Sequence, residues 1–180
     1  MKKLLLIFVF ISGYVFSQNT HVDVGIDEKL DQFLPPEAVF IDSDGKQITI
    51  ENLISKPTIL SLVYYECPGV CSPLLSELSH TIEKVDLEIG IDYQVITISF
   101  NDREDYKLAD KWKQIYLGGM KKRIDPKAWK FLTGDSINIR KITNAVGFYF
   151  KPYSKDFIHA ASLFIISPNR KITRYIFGTQ

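Results

Sequence analysis

The run Thr58-Ile59-Leu60-Ser61-Leu62-Val63-Tyr64-Tyr65 sets apolar and β-prone side chains at consecutive positions. A strand with one wet face alternates apolar and polar residues, so a continuous run suits a sheet covered on both sides. The residues after it narrow the architecture. Beyond a short loop, Leu74, Leu75, Leu78, Ile82 and Val85 recur on one face of a helix expected over 72–89. A buried strand feeding an amphipathic helix is the core of an α/β unit. The pattern then repeats, with a buried strand over 93–100, a helix over 103–117, a short strand over 129–132 and a helix over 136–146 capped by Gly147. Strands at 160–166 and 171–177, joined by Ser167-Pro168-Asn169-Arg170, read as a hairpin. Upstream, strands over 38–41 and 47–50 flank the turn Asp42-Ser43-Asp44-Gly45. The fold class is α/β, a mixed β-sheet flanked by helices with a C-terminal β-hairpin.

The N-terminus has a different character. Lys2 and Lys3 precede an apolar run from Leu4 to Ile11, and Val15-Phe16-Ser17 resembles a cleavage site. The run is shorter than the roughly 20 residues a spanning helix needs. Residues 1–17 therefore read as a signal peptide, residues 18–34 as a linker and residues 35–180 as one domain. An uncleaved membrane anchor is the alternative reading of the leader. Asn19-Thr20-His21 would make an amino-terminal copper motif only if cleavage followed Gln18, which the leader pattern disfavours. The chain stops just after a strand, so either its C-terminus is truncated or the last hairpin leaves one face to something else. A formal net charge of +1 offers no basic excess for nucleic acid. Lys121-Lys122-Arg123, with Lys127 and Lys130, reads as a solvated face, with docking to an acidic surface as the alternative.

Both cysteines lie in the loop between the central strand and the first long helix, in Cys67-Pro68-Gly69-Val70-Cys71-Ser72-Pro73. Export would place them where disulfides persist. A domain of this size does not need one five-residue staple, and closing so small a ring stabilises little. The pair is thus expected to be functional. A helix N-terminus favours thiolate over thiol, and functional crevices of open α/β sheets lie beyond the carboxyl ends of strands. At helical i, i+4 spacing the Cβ atoms stand about 5–6 Å apart, wider than the roughly 3.8 Å of a disulfide. A loop start can close that gap, and two sulfurs so spread also suit one soft metal ion, copper(I) or zinc. A histidine is the usual third ligand. Of the three histidines, His21 lies in the linker and His80 is turned about 180° from Cys71 on its helix. His159 stands before the 160–166 strand, and spacing alone leaves it between a structural and a ligand role.

These residues resemble the SCO/SenC family of copper chaperones. The loop beginning Cys67-Pro68 and ending Cys71-Ser72-Pro73, then Phe131-Leu132-Thr133-Gly134, Val146-Gly147-Phe148 and His159, follow that family's motifs in order, from about Ala38 to Gly178. The resemblance implies a thioredoxin-like fold and a metal site of Cys67, Cys71 and His159 for Cu(I) and for Cu(II). Beside it stand the residues' own readings, a redox-active Cys67–Cys71 disulfide from the dithiol and, from the leader, a location in the periplasm or at the outer face of the inner membrane. The implied role is that of a metallochaperone in assembly of the binuclear copper centre of cytochrome c oxidase. Its implied partners are the copper-bearing oxidase subunit and a copper donor protein, with membrane association if the N-terminus stays uncleaved. Two departures bear on charge and docking. Gly69 stands where many members carry an acidic residue, and Ser99-Phe100-Asn101-Asp102-Arg103-Glu104-Asp105 lacks the aspartate and proline common at 101 and 102. Competing chemistries are thiol–disulfide exchange by the same dithiol, and peroxide reduction by Cys67 with Arg103 as the nearby cation.

Overall fold

The computed structural model describes residues 23–178. The leader, His21 and the last two residues lie outside that range. In chain order the elements are β1 (Gly25–Ile26), β2 (Val39–Asp42), β3 (Gln47–Thr49), α1 (Ile50–Leu53), β4 (Thr58–Val63), α2 (Cys71–Lys84), β5 (Gln94–Ser99) and α3 (Tyr106–Gly119). They continue with β6 (Trp129–Thr133), α4 (Ser136–Ala145), β7 (Phe148–Tyr149), β8 (Lys151–Tyr153), β9 (Asp156–Ile158), β10 (Ser162–Ile166) and β11 (Ile172–Phe177).

A seven-stranded sheet in the order β11-β10-β4-β5-β6-β2-β3 organises the described residues. Its centre is parallel, with Thr58 to Val63 paired to Gln94 to Ser99, and β5 paired in turn to β6. Both flanks are antiparallel. The continuous apolar runs fall on these central strands, and every residue of β5 is buried. The helices supply the cover that such runs require. Leu74, Leu75, Leu78 and Ile82 of α2 are all buried, and α3 packs on β6 and beside α2. Parallel pairing brings the carboxyl ends of β4, β5 and β6 to one edge, and the cysteine loop leaves from the end of β4.

Several elements differ from the sequence reading. The helix expected over 72–89 stops at Lys84, and Val85, read as part of its apolar face, is an extended cap. The strand expected to reach residue 50 ends at Thr49, whose hydroxyl accepts from the Asn52 amide at 3.2 Å and opens the one-turn α1. The described part of the segment read as a linker, residues 23–34, is tied to the domain. Gly25 and Ile26 pair with Tyr149 and Phe148, the Asp27 amide donates to the Gly147 carbonyl at 2.8 Å, and Leu34 is 1% exposed. Gly147 permits this approach: its φ is +62°, and a Cβ there would fall 1.8 Å from the Asp27 carbonyl oxygen. Lastly, residues 151–158 form an additional hairpin, β8–β9, which pairs only with itself.

Candidate metal centre

The cysteine loop begins where the sheet's ladder ends. Val63 still accepts from the Phe100 amide at 2.8 Å, but Tyr65 and Glu66 have no strand partner for theirs. Both amides donate instead to the Glu104 carboxylate, at 2.9 and 3.0 Å. The Cys67 amide donates back to the Tyr64 carbonyl, closing a turn that presents the Cys67 sulfur. Pro68, Gly69 and Val70 then lead into α2, whose first residue is Cys71.

The start of α2 has a property its neighbours lack. Thr49, Asp105 and Asp135 cap α1, α3 and α4 with side-chain oxygens, whereas Val70 at the head of α2 supplies no side-chain hydrogen bond. Orphan amides at a helix start attract an anion. Here the Cys67 sulfur lies beside the helix start, accepting from the Gly69 amide just ahead of the cap at 3.4 Å and from the Cys71 amide that opens α2. The two thiols consequently divide one proton unevenly. A hydrogen bond from the Cys71 thiol, with others from the backbone at Cys71 and Gly69, outweighs burial and holds Cys67 down at about 3. The Cys67 thiolate and burial push Cys71 far above the ordinary thiol value, and the charge of Glu104 adds to that rise. The uniformly acidic dithiol expected from the helix terminus is therefore a thiolate–thiol pair. The Gly69 and Cys71 amides reach only the Cys67 sulfur, and Cys71 is 3% exposed on the buried helix face.

His159 completes the cluster from 92 residues away. It comes just after β9, and Nδ1 lies 2.7 Å from the Ala160 carbonyl oxygen. A carbonyl only accepts, so Nδ1 carries a proton and the lone pair of a neutral ring sits on Nε2. That nitrogen is 3.7 Å from the Cys71 sulfur and 3.9 Å from the Cys67 sulfur. The ring stands in an aromatic enclosure, with Phe100 at 5.0 Å, Tyr64 at 5.7 Å and Phe148 at 6.3 Å between centroids.

These separations fit a small soft ion. Metal–sulfur and metal–nitrogen bonds of roughly 2.3 and 2.0 Å at trigonal angles place nitrogen about 3.7 Å from each sulfur. The three ligand atoms all lie within 4.8 Å of one another, so little movement is needed to close on an ion. The structure thus brings together Cys67, Cys71 and His159. It leaves His80 exposed on α2, 3.9 Å from Glu77. Arg103 is committed elsewhere. It donates to Asn101 Oδ1 and to the Lys155 carbonyl, and its guanidinium lies over the Phe157 ring at 5.3 Å. Among the described residues none of its hydrogen bonds reaches a sulfur.

Sequence reasoning passed over Glu104 and the β8–β9 hairpin. Glu104 stands in the run Asp102-Arg103-Glu104-Asp105, read only as the start of the 103–117 helix and as a departure from the family motif, yet it precedes α3 and is 8% exposed. Asn101 does leave position 101 without a carboxylate, but a buried one stands three residues on.

The SCO1/SenC family model matches residues 30–180. A curated relative, the SCO1 protein homologue of Bacillus subtilis, is 24% identical over 145 residues, covering 78% of this chain and 72% of its own. Among solved structures, a protein from Aquifex aeolicus VF5 is 30% identical, with a TM-score of 0.74 over 83% of this chain and 85% of the other. Arabidopsis thaliana ScoI, solved with copper bound, has a TM-score of 0.67 at 21% identity, covering 79% of this chain and 86% of its own. The expected thioredoxin-like arrangement is shared with these structures.

Proposed function

The chain belongs to the SCO1/SenC family, and from that premise we propose that it is an exported metallochaperone carrying copper on Cys67, Cys71 and His159 to the binuclear copper centre of cytochrome c oxidase. The observation that carries this reading is the placement of His159 Nε2 at 3.7 and 3.9 Å from the two sulfurs. Two thiolates and one imidazole are the donor set that soft ions select. Cys67 is already ionised at neutral pH, so Cys71 alone gives up a proton when the ion binds. Cys67 is partly exposed while Cys71 is buried, which leaves one side of the site open to an incoming ligand from the copper-bearing oxidase subunit. Supply by a separate copper donor protein would use the same side. Cu(I) suits the two sulfurs, and a thiolate with imidazole also holds Cu(II). Among the described residues no helix is long and apolar enough to cross a membrane. A tether at the outer face of the inner membrane would be the uncleaved leader.

The test is anaerobic loading of the reduced domain with Cu(I). One copper per chain is expected, lost on Cys67→Ser or Cys71→Ser and weakened by His159→Ala. Weak binding that His159→Ala leaves untouched would sink the proposal.

One observation favours a second activity in the same site. A half-exposed thiolate backed by a buried thiol is the arrangement of attacking and resolving cysteines in thiol–disulfide exchange. Reduction of a mixed-disulfide substrate by the metal-free protein, lost in Cys67→Ser, would establish it.

A further inference from the structure

Glu104 is a buried carboxylate with no ion pair within 4.0 Å among the described residues, since none of the ion pairs there includes it. Burying such a charge is costly unless donors saturate it. Three donors do so. Oε2 accepts from the Tyr65 amide at 2.9 Å and the Ser99 hydroxyl at 2.5 Å, and Oε1 accepts from the Glu66 amide at 3.0 Å. Ser99 belongs to β5, and the Glu104 amide is itself held by the Asn101 carbonyl at 3.2 Å. One carboxylate therefore ties the last residue of β5 to the two residues that precede Cys67. A neutral acceptor could satisfy one amide. Spanning both, with a hydroxyl as well, takes two equivalent oxygens and places a fixed negative charge behind the sulfurs.

We propose that Glu104 is a positioning residue for the Cys67–Cys71 site, holding the loop so that the two sulfurs stay spread for a cation instead of closing on each other. This rests on the copper reading for its metal arm and is independent of it for its thiol arm. The two cysteines are unbonded, Cys67 in the loop and Cys71 at the helix start, so a sulfur–sulfur bond of about 2.05 Å needs the loop to carry Cys67 closer. A loop pinned at Tyr65 and Glu66 resists that movement, and the same pinning keeps the site preformed for an ion.

The test uses Glu104→Gln, which keeps the shape but turns one acceptor oxygen into a donor facing an amide. Asp135→Ala is the control, since it removes the remote α4 cap and lowers stability without touching the loop. In Glu104→Gln, Cu(I) affinity is expected to fall tenfold or more, the size of effect that groups orienting metal ligands produce. In the metal-free protein, the equilibrium with glutathione, in which the dithiol and oxidised glutathione give the protein disulfide and two reduced glutathiones, is expected to move at least threefold toward disulfide. Asp135→Ala should lower the melting temperature and shift neither. If Glu104→Gln matches the wild type in the glutathione equilibrium, or if Asp135→Ala shifts it equally, the positioning role is overturned. If the wild type itself takes up no copper, the proposed function fails, while the glutathione measurement still decides for or against Glu104.

Discussion

The two halves of the site are held in very different ways. The cysteine half is built into the body of the protein: Cys71 opens a helix whose apolar face lies in the core, and Glu104 fastens the loop to β5. The histidine half hangs at the end of a small hairpin. All of β8 is exposed, β8 pairs only with β9, and Tyr153 and Ile158 face solvent. Phe157 ties the hairpin down against Tyr64, Phe100 and Phe150, together with Arg103 on Phe157 and the Lys155 carbonyl. The difference teaches that the dithiol is preformed, while the third ligand is presented by an arm that can be released at small cost to the fold.

The largest effect that tests this contrast lies within the rigid half. Cys67 ionises at about 3 in the folded chain, against about 8.5 for a free thiol. A depressed value means its contribution to stability is full above pH ~8.5 and fades as the pH falls toward 3. Cys71 has the opposite sign: its raised value favours the folded state below pH ~8.5, and that contribution fades as the pH rises. Cys67 is partly exposed, so the reactivity window is a better readout than the melting temperature. Alkylation by iodoacetamide, followed by mass spectrometry, is expected to modify Cys67 at a nearly constant rate from about pH 5 to 8 while sparing Cys71. Both thiols titrating together near 8.5 would mean that the loop does not hold them in distinct settings.

The next effect separates the halves. His159→Ala is expected to weaken Cu(I) by at least about tenfold, roughly 1.4 kcal/mol or more. It should lower stability by only about 1 kcal/mol, the usual size for a single substitution, since the ring is partly exposed and gives up contacts with Phe100 and Tyr64. It should also leave Cys67 reactive at acid pH, since the Cys71 thiol and the helix amides remain in place. Competition with a Cu(I) chelator, run beside the alkylation assay, reads both. Loss of Cys67 reactivity in this variant would show that the imidazole, and not the helix start, holds the thiolate.

The same contrast explains what could be read from the chain. The core half announced itself: a continuous apolar run, a cysteine at a helix start and leucines at helical spacing are local signals, and the elements fell within a few residues of their expected positions. The arm did not. Lys151-Pro152-Tyr153-Ser154-Lys155-Asp156-Phe157-Ile158 lacks apolar alternation and carries a proline and two lysines, so nothing local marks a hairpin. Its pairing depends on Phe157 finding a ring cluster supplied by Phe100, at the end of β5, and by the residues around β7. Glu104 was hidden for a related reason. Which acid of Asp102, Glu104 and Asp105 turns inward depends on the unpaired amides at Tyr65 and Glu66, nearly forty residues earlier. The tether of residues 23–34 likewise needs Gly147 and Lys171, which no local pattern connects to it.

The smallest effect concerns the arm alone. Arg103→Gln keeps a polar side chain but removes the cation over Phe157 and the donor to Lys155. A cation–π contact of roughly 0.5–1 kcal/mol and a hydrogen bond of about the same size would be lost from the hairpin's attachment. Because a bound ion itself holds His159 in place, only part of that loss should reach copper, giving a few-fold weaker affinity. Amide exchange over 151–158 should quicken by about tenfold in the metal-free protein and recover on loading. Alkylation of Cys67 should stay as in the wild type. A variant that weakened copper as much as His159→Ala would make Arg103 indispensable to the arm. A variant that instead altered Cys67 would show the two halves to be one mechanical unit, and the contrast between a fixed dithiol and a releasable imidazole would have to be abandoned.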